Sequence, residues 1–252
     1  AGVETAERKA VLAGFASASD ETDRQHRDLA RLAERVGFFP IVRGNDGDAF
    51  RQSQQMIEKL VEAIDGAQHH VHMIYYIFRN DAAGRRVADA LGRAAGRGVA
   101  CRVLVDCVGS KEMLRSIAPE LRSKGVDIRE ALRVRLFRRN LSRIDVRNHR
   151  KLTVIDGTLA FTGSQNIADA DYGHRRIGAW HDLTVRVRGP VVYQLQMVFA
   201  EDWTAEAGSL PEDDDTIFPE PEIVGDHHVQ AVPSGPGRRN QAFRNLVLSA
   251  VS

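Results

Sequence analysis

Residues 148–166 read "NHRKLTVIDGTLAFTGSQN", and this stretch decides how the chain is understood. Two β-rich apolar runs flank Asp156-Gly157, a dipeptide that strongly favours a two-residue hairpin. A turn centred there sets Ile155 opposite Thr158, Lys151 opposite Thr162 and His149 opposite Ser164. Side chains alternate along a strand, so His149 and Lys151 share a face, joined by Ser164 with Asn166 close by. An imidazole, an ammonium, a hydroxyl and a carboxamide are thereby expected on one patch.

Such a patch has a definite chemistry. Imidazole is a nucleophile or base near neutral pH, while lysine and asparagine offer charge and donors to a developing anion. A lysine two residues from the histidine repels a cation, which disfavours a metal site. The histidine can attack directly, and a phosphodiester, with several anionic oxygens to hold, suits the set.

Outward from the hairpin, apolar strands alternate with amphipathic helices from Phe38 onward. "HHVHMIYYIF" and "VACRVLVDCVGS" read as buried strands; "DAFRQSQQMIEKLVEAIDGA", "AGRRVADALGRAAGRG" and "KEMLRSIAPELRSKG" read as helices. After the hairpin come the strand "HDLTVRVRGP" and the helix "VVYQLQMVFAEDWTAEAG". The class is α/β, an α/β/α sandwich on a mixed sheet. Residues 1–37 read as a helical arm or linker, 38–207 as the catalytic domain and 208–225, rich in acids and prolines, as a linker. Residues 226–252 again offer strand, turn and helix. Their end "VLSAVS" aligns with "LVEAID" at 60–65, so they are expected to open a second, homologous domain.

Composition bounds the partners. With 43% hydrophobic and 27% charged residues and a net charge of +1, the chain is a soluble globular type with no global bias toward polyanions. No apolar run approaches the roughly 20 residues of a membrane span. The chain opens on Ala1 rather than Met, leading us to expect processing, with which an upstream anchor would be lost. Cys101 and Cys107 lie on one strand about 20 Å apart, too far to bridge, and fit a reducing compartment. Residues 129–151 carry a basic stripe with Arg138, Arg139 and Arg147 at its centre. Leu132, Val134, Leu136 and Phe137 interleave it and favour a membrane surface with anionic lipid headgroups over nucleic acid. His69, His70 and His72 lack a nearby carboxylate or thiol and are read as solvated residues at a strand start. Tyr75 and Tyr76 fit either the core or the site.

The pattern His149, Lys151, Asp156, then Gly163, Ser164 and Asn166 resembles the signature of the phospholipase D superfamily, H-x-K-x4-D followed by G-S-x-N. The wider stretch, with "GAWHDLTVRVRGPVV", is similar to the bacterial cardiolipin synthases within it. The resemblance implies that His149 attacks phosphorus to form a phosphatidyl-histidine. It gives Lys151 and Asn166 the phosphate oxygens, with Ser164 assisting. It matches Asp182 of "WHDLTV" to the carboxylate that orients the histidine. Asp156 belongs to the catalytic motif by position, although at a turn its better reading is a tie to the hairpin backbone. The implied reaction joins two phosphatidylglycerol molecules into cardiolipin with release of glycerol, without metal or other cofactor, at the cytoplasmic face of the bacterial inner membrane. The family pairs two such motifs, so a C-terminal half or a second chain is expected to complete the site. The alternatives are a phosphodiesterase or nuclease acting as a single-motif homodimer, and an inactive lipid-binding fragment.

Overall fold

The computed structural model describes residues 8, 10–16, 27–36, 39–131, 148–172, 178, 180–209, 216–234 and 246–248. Its centre is a mixed eight-stranded sheet in the order β4-β3-β2-β5-β6-β7-β1-β8. The strands are β1 (Val42–Phe50), β2 (His70–Tyr75), β3 (Ala100–Asp106), β4 (Asp127–Ala131), β5 (Lys151–Ile155), β6 (Leu159–Gly163), β7 (Thr184–Arg188) and β8 (His227–Val229). Pairs β2–β3 and β3–β4 are parallel, and every other pair is antiparallel.

The parallel strands are linked by the crossovers such pairing requires. Helix α1 (Arg27–Val36) precedes the sheet, α2 (Ser53–Gly66) joins β1 to β2, and α3 (Ala82–Gly96) joins β2 to β3. Two short helices, α4 (Lys111–Ser116) and α5 (Ala118–Ser123), take the place of the single helix expected before β4. The break falls at Ile117-Ala118-Pro119, because proline has no N–H to continue the first helix and is accommodated in the opening turn of the next. Helix α3 starts cleanly: the Asp81 side chain accepts from Gly84 N at 2.9 Å.

Strand alternation divides the core in two. Val71, Met73, Tyr75, Val103, Val105, Ile155 and Phe161 face α2 and α3, whose Met56, Ile57, Leu60, Val87 and Leu91 are fully buried against them. Ile74, Leu104, Leu152, Val154 and Ala160 face the other way, onto Met197, Phe199 and Trp203 of α6 (Val191–Ala207). Both faces of the central strands are therefore covered, which explains their near-continuous apolar sequence.

One expectation is corrected here. His70 and His72 are not solvated: they are 1% and 0% exposed, on the face of β2 that meets α6. The His72 ring lies flat on Phe199, with centroids 4.3 Å apart, and its nitrogens meet Gln196 and Arg102. Aromatic stacking and two polar partners make burial of a neutral imidazole tolerable. Residues 227–229, in the segment expected to open a second domain, pair antiparallel with β1 at the edge of the sheet. Asn45 fixes this corner, donating to Val42 O and His227 O while its side-chain oxygen accepts from Val191 N at the start of α6.

Cys101 lies within β3 and Cys107 just past it, and neither forms a disulfide. Of the expected basic stripe, Arg138, Arg139 and Arg147, with Leu132, Val134, Leu136 and Phe137, lie outside the described residues. Among the described residues, no helix is long and apolar enough to cross a membrane.

Candidate active site

The hairpin turns at Asp156-Gly157, both left-handed with φ of 50° and 65°, as the dipeptide demands. Its ladder nevertheless runs Leu152↔Thr162 and Ile155↔Leu159, one residue out from the expected register. The connection holds three residues, with Thr158 N donating to Ile155 O at 3.1 Å. A one-residue slip exchanges faces, so Lys151 shares its face with Thr153 and Ile155 rather than with Thr162. Ser164 enters the patch by a different route, because β6 ends at Gly163, one residue before it.

That route is the neighbouring strand. Ser164 N donates to Leu183 O at 2.9 Å, and Ser164 Oγ accepts from Leu183 N at 3.0 Å while donating to Asp182 Oδ1 at 2.7 Å. Gly163 permits the approach: a Cβ there would overlap the Leu183 carbonyl. Asp182 and Ser164 are thus one unit, locked by the chain beside β7.

Lys151 opens β5 opposite Tyr75, at the carboxyl end of β2. The next residue, Tyr76, lies face to face with His149: centroids are 4.0 Å apart and the planes 19° from parallel. Lys151 Nζ donates to His149 O at 2.7 Å and stands 5.8 Å from the Tyr76 ring centre. Burial lowers the Lys151 pKa from its ordinary value, and the Asp182 charge works against that fall. A partly desolvated ammonium between an imidazole and a carboxylate makes a strong anion-binding group.

Asn166 is brought to the same edge but is 4% exposed. Its side-chain oxygen accepts from Ile77 N at 3.1 Å and its Nδ2 donates to Tyr172 OH at 2.7 Å. Trp180 stacks beside Tyr172 with centroids 5.7 Å apart, and Trp180 and Leu183 are each 47% exposed at the rim. Asp156 stands apart, at the other end of β5, roughly 16 Å along the strand from Lys151. Its carboxylate accepts from Gln68 N, His69 N and His70 N at 2.8–2.9 Å, anchoring the hairpin tip to the entry of β2.

Sequence reading left Tyr76 undecided and passed over Tyr172 and Trp180. Strand alternation separates the two tyrosines: Tyr75 is core, its hydroxyl 3.1 Å from Thr153 Oγ1, so Tyr76 is directed to the strand end. No metal-ligating cluster of three or more side chains occurs among the described residues.

Comparison with known proteins places this geometry in context. Residues 60–203 match the family model described as "Cardiolipin synthase, PLD-like domain". Cardiolipin synthase A of Yersinia pseudotuberculosis is 37% identical over 229 residues, covering 88% of this chain and 47% of the relative. The same figures hold for that of Yersinia pestis. The chain therefore spans about half the length of the curated relatives it matches. Among solved structures, the phosphatidylserine synthase of Haemophilus influenzae superposes with a TM-score of 0.51 at 13% identity, over 75% of this chain and 44% of that one. NucT of Helicobacter pylori gives 0.50 at 14%, over 64% and 98%. At such identities these two show a shared fold.

Proposed function

The chain belongs to the cardiolipin synthase family of phospholipase D-like domains, and from that premise we propose that it carries one catalytic motif of a phosphatidyltransferase acting through a phosphohistidine. The observation that carries this reading is His149 stacked on Tyr76 beside the Lys151 ammonium, with the Asp182–Ser164 pair next to it.

In the first step a nitrogen of His149 bonds to phosphorus as the P–O bond to glycerol breaks. The departing alkoxide takes a proton from a second acid, a role suited to the imidazole of a partner motif. In the second step the hydroxyl of another phosphatidylglycerol gives up its proton and attacks phosphorus, and the P–N bond breaks. Cardiolipin is the product, with one glycerol released per turnover. Lys151 holds the anionic oxygens, where a desolvated cation is most effective as charge develops. Asn166, and Ser164 through Asp182, frame the same oxygens. Asp182 favours the cationic forms of the groups around it and orients His149. Asp156 acts through backbone position alone.

The exposed Trp180 and Leu183 at the rim support a lipid surface as the source of substrate, in keeping with membrane association of the parent protein at the cytoplasmic face. Completion of the site requires a second motif, from a C-terminal half or a second chain. The test is rapid detergent denaturation at neutral pH, where the P–N bond survives, after incubating the chain completed by its second motif with headgroup-intact, acyl-labelled phosphatidylglycerol. Label is expected on the wild type and absent from His149→Ala; equal labelling of both overturns the assignment.

A further inference from the structure

A second, basic cleft opens on the same sheet edge as His149. It encloses about 530 Å³ and is lined by Phe78, Arg79, Asn80, Val108, Gly109, Lys111, Glu112, Arg115 and Ser116, of which three are cations and one a carboxylate. The cleft is built from the loops that leave the carboxyl ends of β2 and β3, which the parallel pairing brings side by side.

Its first loop is the one that carries the candidate active site. Tyr76 meets His149, Ile77 N donates to Asn166, and Arg79 N donates to Ile167 O at 2.9 Å. Two residues separate Tyr76 from Arg79, which are at most about 11 Å apart along the chain. The second loop is locked to the first: Ser110 Oγ donates to Tyr76 O at 3.2 Å and accepts from Phe78 N at 2.9 Å. Gly109 packs where a Cβ would overlap the Tyr76 carbonyl. Asp106 holds the bend by accepting from Val108 N and Gly109 N at 2.9 and 2.8 Å. The cleft is therefore pre-formed and fixed relative to His149.

Its charges are available. Arg79 is shared loosely between Asp81 at 3.8 Å and Glu112 at 3.6 Å. Lys111 and Arg115 lie one turn apart on α4, both exposed, and neither is in an ion pair among the described residues. Long, unengaged cations beside a phosphate-handling centre suit a second phosphate.

We propose that this cleft receives the phosphate of the acceptor phospholipid, placing its glycerol hydroxyl at the His149 centre. The assignment rests on the transfer reaction proposed above, and it names what that reaction requires: an anionic acceptor selected over water and over neutral alcohols. Arg79, Lys111 and Arg115 hold the phosphate, and Asn80 and Ser116 lie within the same cleft to meet polar groups of the glycerol.

Two measurements test it. The first needs no turnover: sn-glycerol 3-phosphate is titrated onto the Lys151→Ala chain and onto the same chain carrying Lys111→Ala and Arg115→Ala. Removing two charge-assisted contacts is expected to weaken binding by about tenfold or more; equal affinity overturns the proposal. Inorganic phosphate serves as competitor, and displacement as strong as that by glycerol 3-phosphate identifies a general anion site and overturns the headgroup assignment. The second uses the chain completed by its second motif and compares products from phosphatidylglycerol in the presence of labelled free glycerol. The Lys111→Ala/Arg115→Ala variant is expected to form about tenfold less cardiolipin relative to glycerol exchange. A proportionate fall in both products overturns the proposal. Failure of the phosphohistidine reading is seen separately, as labelling that does not depend on His149.

Discussion

The imidazole of His149 rests on the phenol ring of Tyr76, with ring centroids 4.0 Å apart and planes 19° from parallel. His149 lies two residues before β5, outside its ladder, and the stack with Tyr76 is one restraint on its ring. Tyr76 is itself held by the Ser110 hydroxyl on its carbonyl. The ring is thus a platform for the proposed nucleophile.

Tyr76→Phe keeps that platform and is expected to retain most activity. Tyr76→Ala removes it and should lower the rate of His149 labelling by about 10- to 100-fold, the cost of misplacing a reacting group by about an ångström. Because the loss is one of orientation, it should appear in the rate of the labelling step rather than in lipid affinity. Equal rates for the two variants would remove Tyr76 from the site.

Asp182 opposes the fall in Lys151 pKa that burial causes. Asp182→Asn keeps an oxygen to accept from Ser164, so the chain beside β7 should hold, but the opposing charge is gone. The Lys151 pKa then drops further. If the protonated ammonium is the working form, activity is lost on the alkaline side, and that limb of the pH–rate profile moves to lower pH. An unmoved limb with an unchanged melting temperature would separate Lys151 from the pH dependence.

Much of this was legible from residues alone, and where it was not the causes are specific. The long apolar strands and the glycine-closed helices declare themselves because burial on two faces leaves little sequence freedom at Val71–Tyr75 or Val103–Val105. The motif residues His149, Lys151, Ser164 and Asn166 all reach one sheet edge. The register did not follow from the Asp-Gly turn, since one extra loop residue, Thr158, is invisible to a two-residue template. The burial of His72 escaped because its partners, Gln196 and Phe199, come from a helix more than 120 residues away in the chain, and His70 stacks on His72. Tyr172 and Trp180 escaped for the same kind of reason: a stack between two loop residues has no periodic signature. The pairing of 227–229 with β1 was not legible either, because an edge N–H row pairs with any suitable strand in reach.

His72 makes stability depend on pH. Burial, the neighbouring His70 and the Arg102 charge hold its pKa well below the ordinary 6.5, with the hydrogen bond to Gln196 acting in the opposite sense. Arg102 donates to Nε2 at 2.9 Å, and the Gln196 carboxamide meets Nδ1 with its nitrogen at 2.9 Å and its oxygen at 3.3 Å. The unfolded chain binds a proton at this residue below about pH 6.5 while the folded chain does not. The stability so conferred is fully present above that pH and is lost as pH falls below it. Denaturant midpoints at pH 8 and pH 5 measure it. His72→Gln should weaken the fold at pH 8 and flatten this part of the pH dependence; a variant with the wild-type slope would assign the effect elsewhere.

Asp156 separates position from chemistry within one motif. Its carboxylate accepts from three successive backbone amides, those of Gln68, His69 and His70, and its own backbone is left-handed at φ 50°. Asp156→Ala removes the acceptor and puts an alanine where an L side chain is strained, for an expected loss of roughly 2–4 kcal/mol. Asp156→Asn keeps one oxygen and a side chain that tolerates the left-handed region, so it should cost about half as much. Lys151 lies at the opposite end of the strand, and the labelling rate of His149 per folded molecule should stay near wild type in both variants. Urea midpoints measured beside that rate decide the matter. A variant that folds with wild-type stability yet fails to label would return Asp156 to the reacting groups.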